Sequence, residues 1–195
     1  MSANVDLVAH FRAMEALVEA EPEGINIEIA RGVFMMSPRP RFRHTVVHVN
    51  LGAALIRAFG GADGEKSPDW VFASEPEIRS ETAFSRLIPD LAGWRRSAGG
   101  WPNPDENPIA LVPEWVGKIL SPSTESYDRG DKKDAYGLMG VGWLWLVDSE
   151  GRRLETFTNI RGKMVAGPTF EGKSIASAPP FESLAFSLPD LFIGT

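Results

Sequence analysis

Lys118 stands inside "EWVGKIL" (114–120), a run that otherwise has the apolar character of a strand buried in a sheet. A buried ammonium group survives beside a carboxylate; the alternative is a lysine that snorkels from a strand edge into solvent. Asp90 closes "RLIPD" (86–90), where Pro89 limits how far an apolar strand can go on pairing. A carboxylate there can cap a turn or, joined by a second one on a neighbouring strand end, hold a Mg²⁺ ion through oxygen ligands. His44 and His48 have the four-residue spacing of a zinc pair, but residue 45 is Thr where a metalloprotease helix carries its general-base glutamate. The third histidine, His10, falls in another helix, so the pair reads as polar helix positions near a loop. "GGADGE" lacks the lysine and hydroxyl of a phosphate loop. "SPST" (121–124) has hydroxyls but no nearby histidine and no glycine pair of a nucleophile elbow, which argues against serine hydrolase chemistry.

The elements that must position these residues follow from periodicity. Leu7, Phe11, Met14 and Val18 form a helical stripe. Ile25, Ile27 and Ile29 alternate with polar residues, and Arg31-Gly32 supplies a turn before Val33–Met36, which predicts a hairpin. "SPRPRFRH" breaks that pattern. Val47, Leu51, Leu55 and Phe59 then predict a second helix over 44–59, closed by Gly60-Gly61. Strand-like pieces follow at 70–73, 75–79 and 86–94. The segment 97–113 contains four prolines and reads as a surface loop. Residues 128–139 suit a helix, and "VGWLWLVD" (141–148) a central strand. "RRLETFTNI" and "KMVAGPTF" read as outer strands, and "SLPDLF" as a short closing helix. This order gives an α/β or α+β fold, a mixed β-sheet with helices on its faces.

Bulk composition narrows the setting. A chain of 195 residues with 43% hydrophobic content is expected to form one domain over 1–195. No long apolar run predicts a membrane span, and the acidic N-terminal stretch is unlike a signal peptide. With no cysteine, a cytoplasmic protein without disulfides or thiolate metal sites is expected. The net charge of −6 repels nucleic acid from the surface as a whole, so a polyanion needs a local basic cluster.

Taken together, "IPDLAGWRR", "PEWVGKILSPST", "YDRGDKKDAY", "GVGWLWLVD" and "PPFESLAFSLPDLF" resemble the Uma-type putative restriction endonuclease family, within the PD-(D/E)XK nuclease superfamily, over roughly residues 24–193. The resemblance implies a restriction-endonuclease-like mixed sheet, a Mg²⁺ (or Mn²⁺) site at strand ends, and hydrolysis of a DNA phosphodiester. It implies that Asp90 is the first metal-binding carboxylate, and that position 118 is the second acidic position, occupied here by lysine. Lys132 matches the family's catalytic lysine, with Lys133 as a rival. Glu28 matches an N-terminal acidic position, Glu77 matches a further one less closely, and Asp128 and Tyr136 match with mainly structural roles.

The departure at 118 has a physical consequence. Two carboxylates grip a metal that acidifies bound water, and a lysine steadies the transition state. At about 4 Å and an effective dielectric near 20, each unit-charge pair is worth on the order of 4 kcal/mol, attractive to a cation from a glutamate and repulsive from a lysine. Metal binding is then weakened or absent, with the ammonium of Lys118 filling the metal's place against Asp90 and either Glu28 or Glu77. Two functions follow: a metal-dependent DNA endonuclease using Asp90 with Glu77 or Glu28 and Lys132 or Lys118, or a catalytically inactive nuclease fold kept as a nucleic-acid- or partner-binding module. Arg95, Arg96, Arg129 and Lys133 join Lys118 and Lys132 as a candidate DNA-binding face, against the alternative of solvated charge interleaved with aspartates. Six Trp and eleven Phe, among them Trp94 and Trp101 with an exposed look, leave room for an oligomerising surface, and the superfamily resemblance implies a homodimer.

Overall fold

A computed structural model describes residues 2–21, 27–36, 39–60 and 69–194. Twelve strands are described, and six of them build the main sheet in the order β10-β9-β8-β7-β6-β3. These are β3 (Trp70–Ser74), β6 (Leu91–Arg95), β7 (Trp115–Leu120), β8 (Trp143–Asp148), β9 (Arg153–Ile160) and β10 (Lys163–Glu171). Only β7 and β8 run parallel; the other pairings are antiparallel. Parallel neighbours need a crossover, and residues 125–139 supply it: α3 (Glu125–Tyr127), a π-helical segment (Asp128–Lys132) and α4 (Lys133–Met139). A smaller sheet in the order β2-β1-β5-β4 comprises β1 (Ile27–Ala30), β2 (Val33–Met36), β4 (Ile78–Ser80) and β5 (Ser85–Leu87). Two further helices, α1 (Ser2–Ala20) and α2 (Phe42–Phe59), and the short β11 (Ile175–Ala176) and β12 (Phe186–Ser187) complete the frame with a 3₁₀ turn at Leu188–Leu191. The fold is thus a mixed sheet flanked by helices.

Side-chain alternation along the central strands creates two cores. One face of the large sheet sends Trp115, Ile119, Trp145 and Val147 toward α2 and the C-terminal segment, where Phe181 lies among Trp70, Trp115 and Trp145. The opposite face sends Trp94, Val116, Leu120, Leu144 and Leu146 toward α4 and the smaller sheet. Lys118 lies between Val116 and Leu120 in the strand, so the pleat turns it to this second, covered face. In β1 the same parity points Glu28 along with Ala30 toward that layer, while Ile29 packs with Phe11 and Met14 of α1.

Most predicted elements appear near their expected bounds, and the differences have local causes. The apolar run 86–94 is two strands, β5 in the smaller sheet and β6 in the larger, parted at Ile88–Asp90 where Pro89 cannot donate to a ladder. Asp90 therefore precedes β6 instead of ending a strand. Trp94, read as exposed, is buried and donates its indole N–H to the Leu111 carbonyl at 2.9 Å. Trp101 remains partly exposed beneath the Arg96 guanidinium. Ile25 and Gly61, expected in the hairpin and at the end of α2, lie outside the described residues.

Trp145 joins the C-terminal segment to the sheet twice, through its ring contacts and through a 2.7 Å hydrogen bond to the Pro179 carbonyl. Trp145→Ala is expected to cost about 3–5 kcal/mol in urea unfolding; a loss below about 1 kcal/mol would show that the aromatic layer does not hold this face together.

Candidate functional site

The break between β5 and β6 sets Asp90 beside β7. Its backbone carbonyl accepts from the Glu75 N–H at 3.0 Å, fixing the turn, and its side chain has three partners. The Lys118 ammonium donates to Oδ1 at 3.1 Å, the Ile119 N–H donates to Oδ2 at 2.6 Å, and His44 Nε2 lies 3.2 Å from Oδ1. All three side chains are nearly closed to solvent, at 6% exposure for Asp90, 11% for Lys118 and 8% for His44. Burial raises the carboxyl's pKa, but Lys118, His44 and the Ile119 N–H outweigh it and hold Asp90 well below the usual carboxylate range. Burial likewise lowers the ammonium's pKa, and Asp90, Asp128 and Glu28 overcome it, holding Lys118 above the usual lysine range. Each charge is tolerable because the other is present.

A second ion cluster continues from the first. Glu28 accepts the Ile88 N–H at 2.8 Å with Oε1, and its Oε2 pairs with Lys132. Lys132 also lies 3.4 Å from Asp128, whose Oδ2 accepts the Thr124 hydroxyl at 2.7 Å. The π-helical turn over 128–132 presents Asp128 and Lys132 inward together, a distortion of the kind that recurs at functional sites. Burial raises the pKa of Asp128, while Lys132, Lys118 and Thr124 lower it in part. The Tyr136 hydroxyl is buried without a hydrogen-bond partner among the described residues. Burial, then the carboxylates of Glu28, Asp128 and Asp90, keep it a neutral phenol.

Above these groups opens a cleft of about 270 Å³ whose floor and walls include Glu28, Asp90, Lys118 and His44. Arg39 and Arg41 stand at it, with the hydroxyls of Ser121, Ser123 and Thr124. The charged lining is balanced, with Glu28, Glu75 and Asp90 against Arg39, Arg41 and Lys118, and the two arginines offer the donors that an anion would meet.

Acidic and lysine side chains from β1, β7, the turn before β6 and the helical crossover thus meet at the centre of a mixed-sheet fold. The family model described as "Uma2: Putative restriction endonuclease" matches residues 8–189, and the chain belongs to that family. Among solved structures, the chain is similar to a putative nuclease of domain family DUF820 from Anabaena variabilis ATCC 29413, with a TM-score of 0.69 and 17% identity over 90% of this chain and 94% of that one. That likeness is one of fold. No curated protein matches the chain.

The structure brings together some of the residues expected at the site and disperses others. Asp90, Lys118, Glu28 and Lys132 lie in one connected network, with Asp128 a direct member. Glu77 is not in it: its carboxylate takes the Arg86 guanidinium at 2.5 and 3.1 Å, and the acid that this segment presents to the cleft is Glu75. The expected basic face is not assembled either. Arg129 is held by Glu155 at 2.6 and 2.8 Å and by Glu125 at 2.8 Å. Arg95 lies over the Trp70 ring at the far end of β6, about 13 Å of strand beyond Leu91. Lys133 lies over the Phe157 ring of β9 and is not among the residues that line the cleft. The cations actually at the cleft are Arg39 and Arg41, from the "RPR" stretch that appears in the sequence only as a pattern break. His44, read as a polar helix position, is the imidazole on Asp90. No signal short of the tertiary contact of α2 with β6 and β7 marks either.

The residues present do not fit a divalent cation. The Lys118 ammonium already holds Asp90, the carboxylate that the family resemblance leads one to expect at a metal, and among the described residues no group of three or more His, Cys, Asp or Glu side chains could hold a metal ion.

Loss of either partner takes the nearest opposite charge from a buried group, so Asp90→Asn and Lys118→Met are each expected to cost about 3–5 kcal/mol. The double variant should fall short of the sum by about 1–3 kcal/mol in urea unfolding; strict additivity would contradict the pairing. The pH dependence has a defined sign. The lowered pKa of Asp90 gives stability that is present above its unfolded value and lost as pH falls through the folded one. The raised pKa of Lys118 gives stability that is full below its unfolded value and lost as pH rises through the folded one. The coupling is therefore expected to stay level from about pH 5 to 9, and a midrange decline would contradict it.

Proposed function

We propose that this protein is a nuclease-fold module that binds the phosphodiester backbone of nucleic acid in the Asp90–Lys118 cleft and does not use a resident divalent ion to cut it. The observation that carries the proposal is the 3.1 Å ion pair between Lys118 and Asp90. A phosphate oxygen entering the cleft meets Lys118 in place of a metal, with Arg39 and Arg41 to neutralise its charge and the Ser121 and Ser123 hydroxyls to donate. Arginines at the mouth and an internal ammonium also resolve how a protein of net charge −6 accepts a polyanion: the attraction is local.

DNA is the favoured partner, because the family model carries the description "Putative restriction endonuclease". The proposal extends to one nuclease-like domain acting in the cytoplasm, which the absence of cysteine favours; among the described residues no helix is long and apolar enough to cross a membrane. It also extends to a homodimer. Phe42, Val49 and Ile56 leave apolar surface on the exposed side of α2, which a second copy could cover.

Calorimetric titration with Mn²⁺ tests the metal part. The native chain should give no saturable heat, whereas Lys118→Glu, which restores the family's acidic position, should bind Mn²⁺ with an affinity lost on adding Asp90→Ala. Plasmid incubated with Mg²⁺ should remain intact. Metal-dependent cutting by the native chain, abolished by Asp90→Ala and by EDTA, would overturn the proposal and return the protein to the cutting members of its family.

A further inference from the structure

Of the outer strands of the two larger sheets, β10 and β4 have protected edges. β10 contains Pro168 beside a register shift between Ala166 and Thr169. β4 is covered by Ile109, whose N–H donates to the Glu77 carbonyl at 2.8 Å and whose carbonyl accepts the Arg79 N–H at 2.8 Å. β2 is open but has only four residues. β3 pairs evenly with β6 through all five of its residues, contains no proline, lysine or bulge, and has no strand on its other side among the described residues. Such an edge is a template for another strand.

A groove of about 800 Å³ runs between this edge and α2, lined by Val49, Ala53, Ile56, Phe72, Ala73 and Leu91. Val49 and Ile56 are 67% and 47% exposed, so apolar helix surface flanks the open edge of the sheet. The two ends of β3 differ in charge. At one end Glu75 takes the left-handed conformation, with φ 49°, and lines both the groove and the cleft. At the other end Arg95, the register partner of Trp70, lies over that ring, and its Nε is buried without a hydrogen-bond partner. Neither Glu75 nor Arg95 has an ion-pair partner among the described residues. Asp69, beside Arg95, has both carboxylate oxygens engaged by Ser97, at 3.0 and 2.9 Å.

We infer that a second copy of this chain covers the groove, joined by antiparallel pairing of β3 with the partner's β3 about a twofold axis, so that the partner's Arg95 meets Glu75. Antiparallel pairing brings opposite ends together, and the twofold makes the same complementary contact at both ends of the seam. The two six-stranded sheets become one, and each α2 lies beside the seam with Val49, Ala53 and Ile56 toward it. The consequence reaches the cleft, where Glu28, Glu75 and Asp90 balance Arg39, Arg41 and Lys118. The partner's Arg95 offsets Glu75 and leaves that lining net positive toward an anion. Arg95, held away from its own cleft by the length of β6, thus acts on the cleft of the other copy. This effect on binding rests on the reading of the cleft as a phosphodiester site; the pairing of the two copies does not.

Sedimentation equilibrium of the full chain and binding of a fluorescein-labelled single-stranded oligonucleotide in EDTA test the two parts separately. The native chain should be a dimer. Val49→Arg, at an exposed position outside the cleft, should weaken association about tenfold or more. Glu75→Arg and Arg95→Glu should each weaken it about tenfold, and the two together should restore most of the loss. At concentrations where the native chain is dimeric, Val49→Arg should bind the oligonucleotide about threefold more weakly, although it adds a cation. A monomeric native chain, or a dimer that Phe34→Glu on β2 dissociates and Val49→Arg leaves intact, would overturn the inference and leave the cleft reading standing. A dimer dissociated by Val49→Arg with no loss of oligonucleotide affinity would overturn the effect on the cleft. Absence of oligonucleotide binding by a native dimer would overturn the cleft reading and leave the interface.

Discussion

The structure depends on one constraint: a carboxylate and an ammonium group have been closed together into the interface between two sheets, and neither can be there without the other. Asp90 arrives at that place because Pro89 ends the pairing of β5 and the chain crosses to β6; Lys118 arrives because the pleat of β7 turns it between Val116 and Leu120. Against the acid that the family resemblance leads one to expect at position 118, Lys118 exchanges a negative for a positive group. That changes the local charge by two units, the same amount a divalent cation supplies. The other buried groups, Glu28, Asp128 and Lys132, therefore meet a charge balance like that of a metal-loaded site without a metal. This is why the surrounding frame can remain nuclease-like while the centre differs in kind.

The exchange is not neutral for chemistry. A metal ion lowers the pKa of its bound water and offers it as a nucleophile; an ammonium can attract a phosphate oxygen but holds no water in that activated form. The pair also engages Asp90, whose Oδ1 faces Lys118 and His44 while its Oδ2 accepts the Ile119 N–H. The arginines preceding α2 stand at the same cleft, where the proposed anion recognition takes place. The π-helical turn serves both clusters, since it brings Lys132 to Glu28 and Asp128 within the field of Lys118.

Much of this frame could be read from the chain before any coordinates. The stripe through Val47, Leu51 and Leu55 and the bulky run of β8 are local patterns with direct physical causes, and they anticipated α2 and the centre of the sheet, while the pairing of Lys118 with Asp90 was expected from the family resemblance. What stayed hidden was set by partners distant in sequence. Glu77 and Glu75 are two residues apart in one exposed-looking stretch, and only the position of Arg86 draws one of them away from the cleft. Arg129 looked available beside its aspartates until β9 brought Glu155 against it. Arg39, Arg41 and Arg43 looked like an irregular connection, and they acquire meaning only where the start of α2 lies over the end of β7.

The central claim, that an internal ammonium fills the place of the family's cation, is tested most directly by a crystal of the native protein soaked in manganese and measured at a wavelength where that metal scatters anomalously. The expected map has no anomalous peak within coordination distance of Asp90 and shows Lys118 Nζ in contact with that carboxylate. A peak bound by Asp90, with Lys118 swung out to solvent, would contradict it.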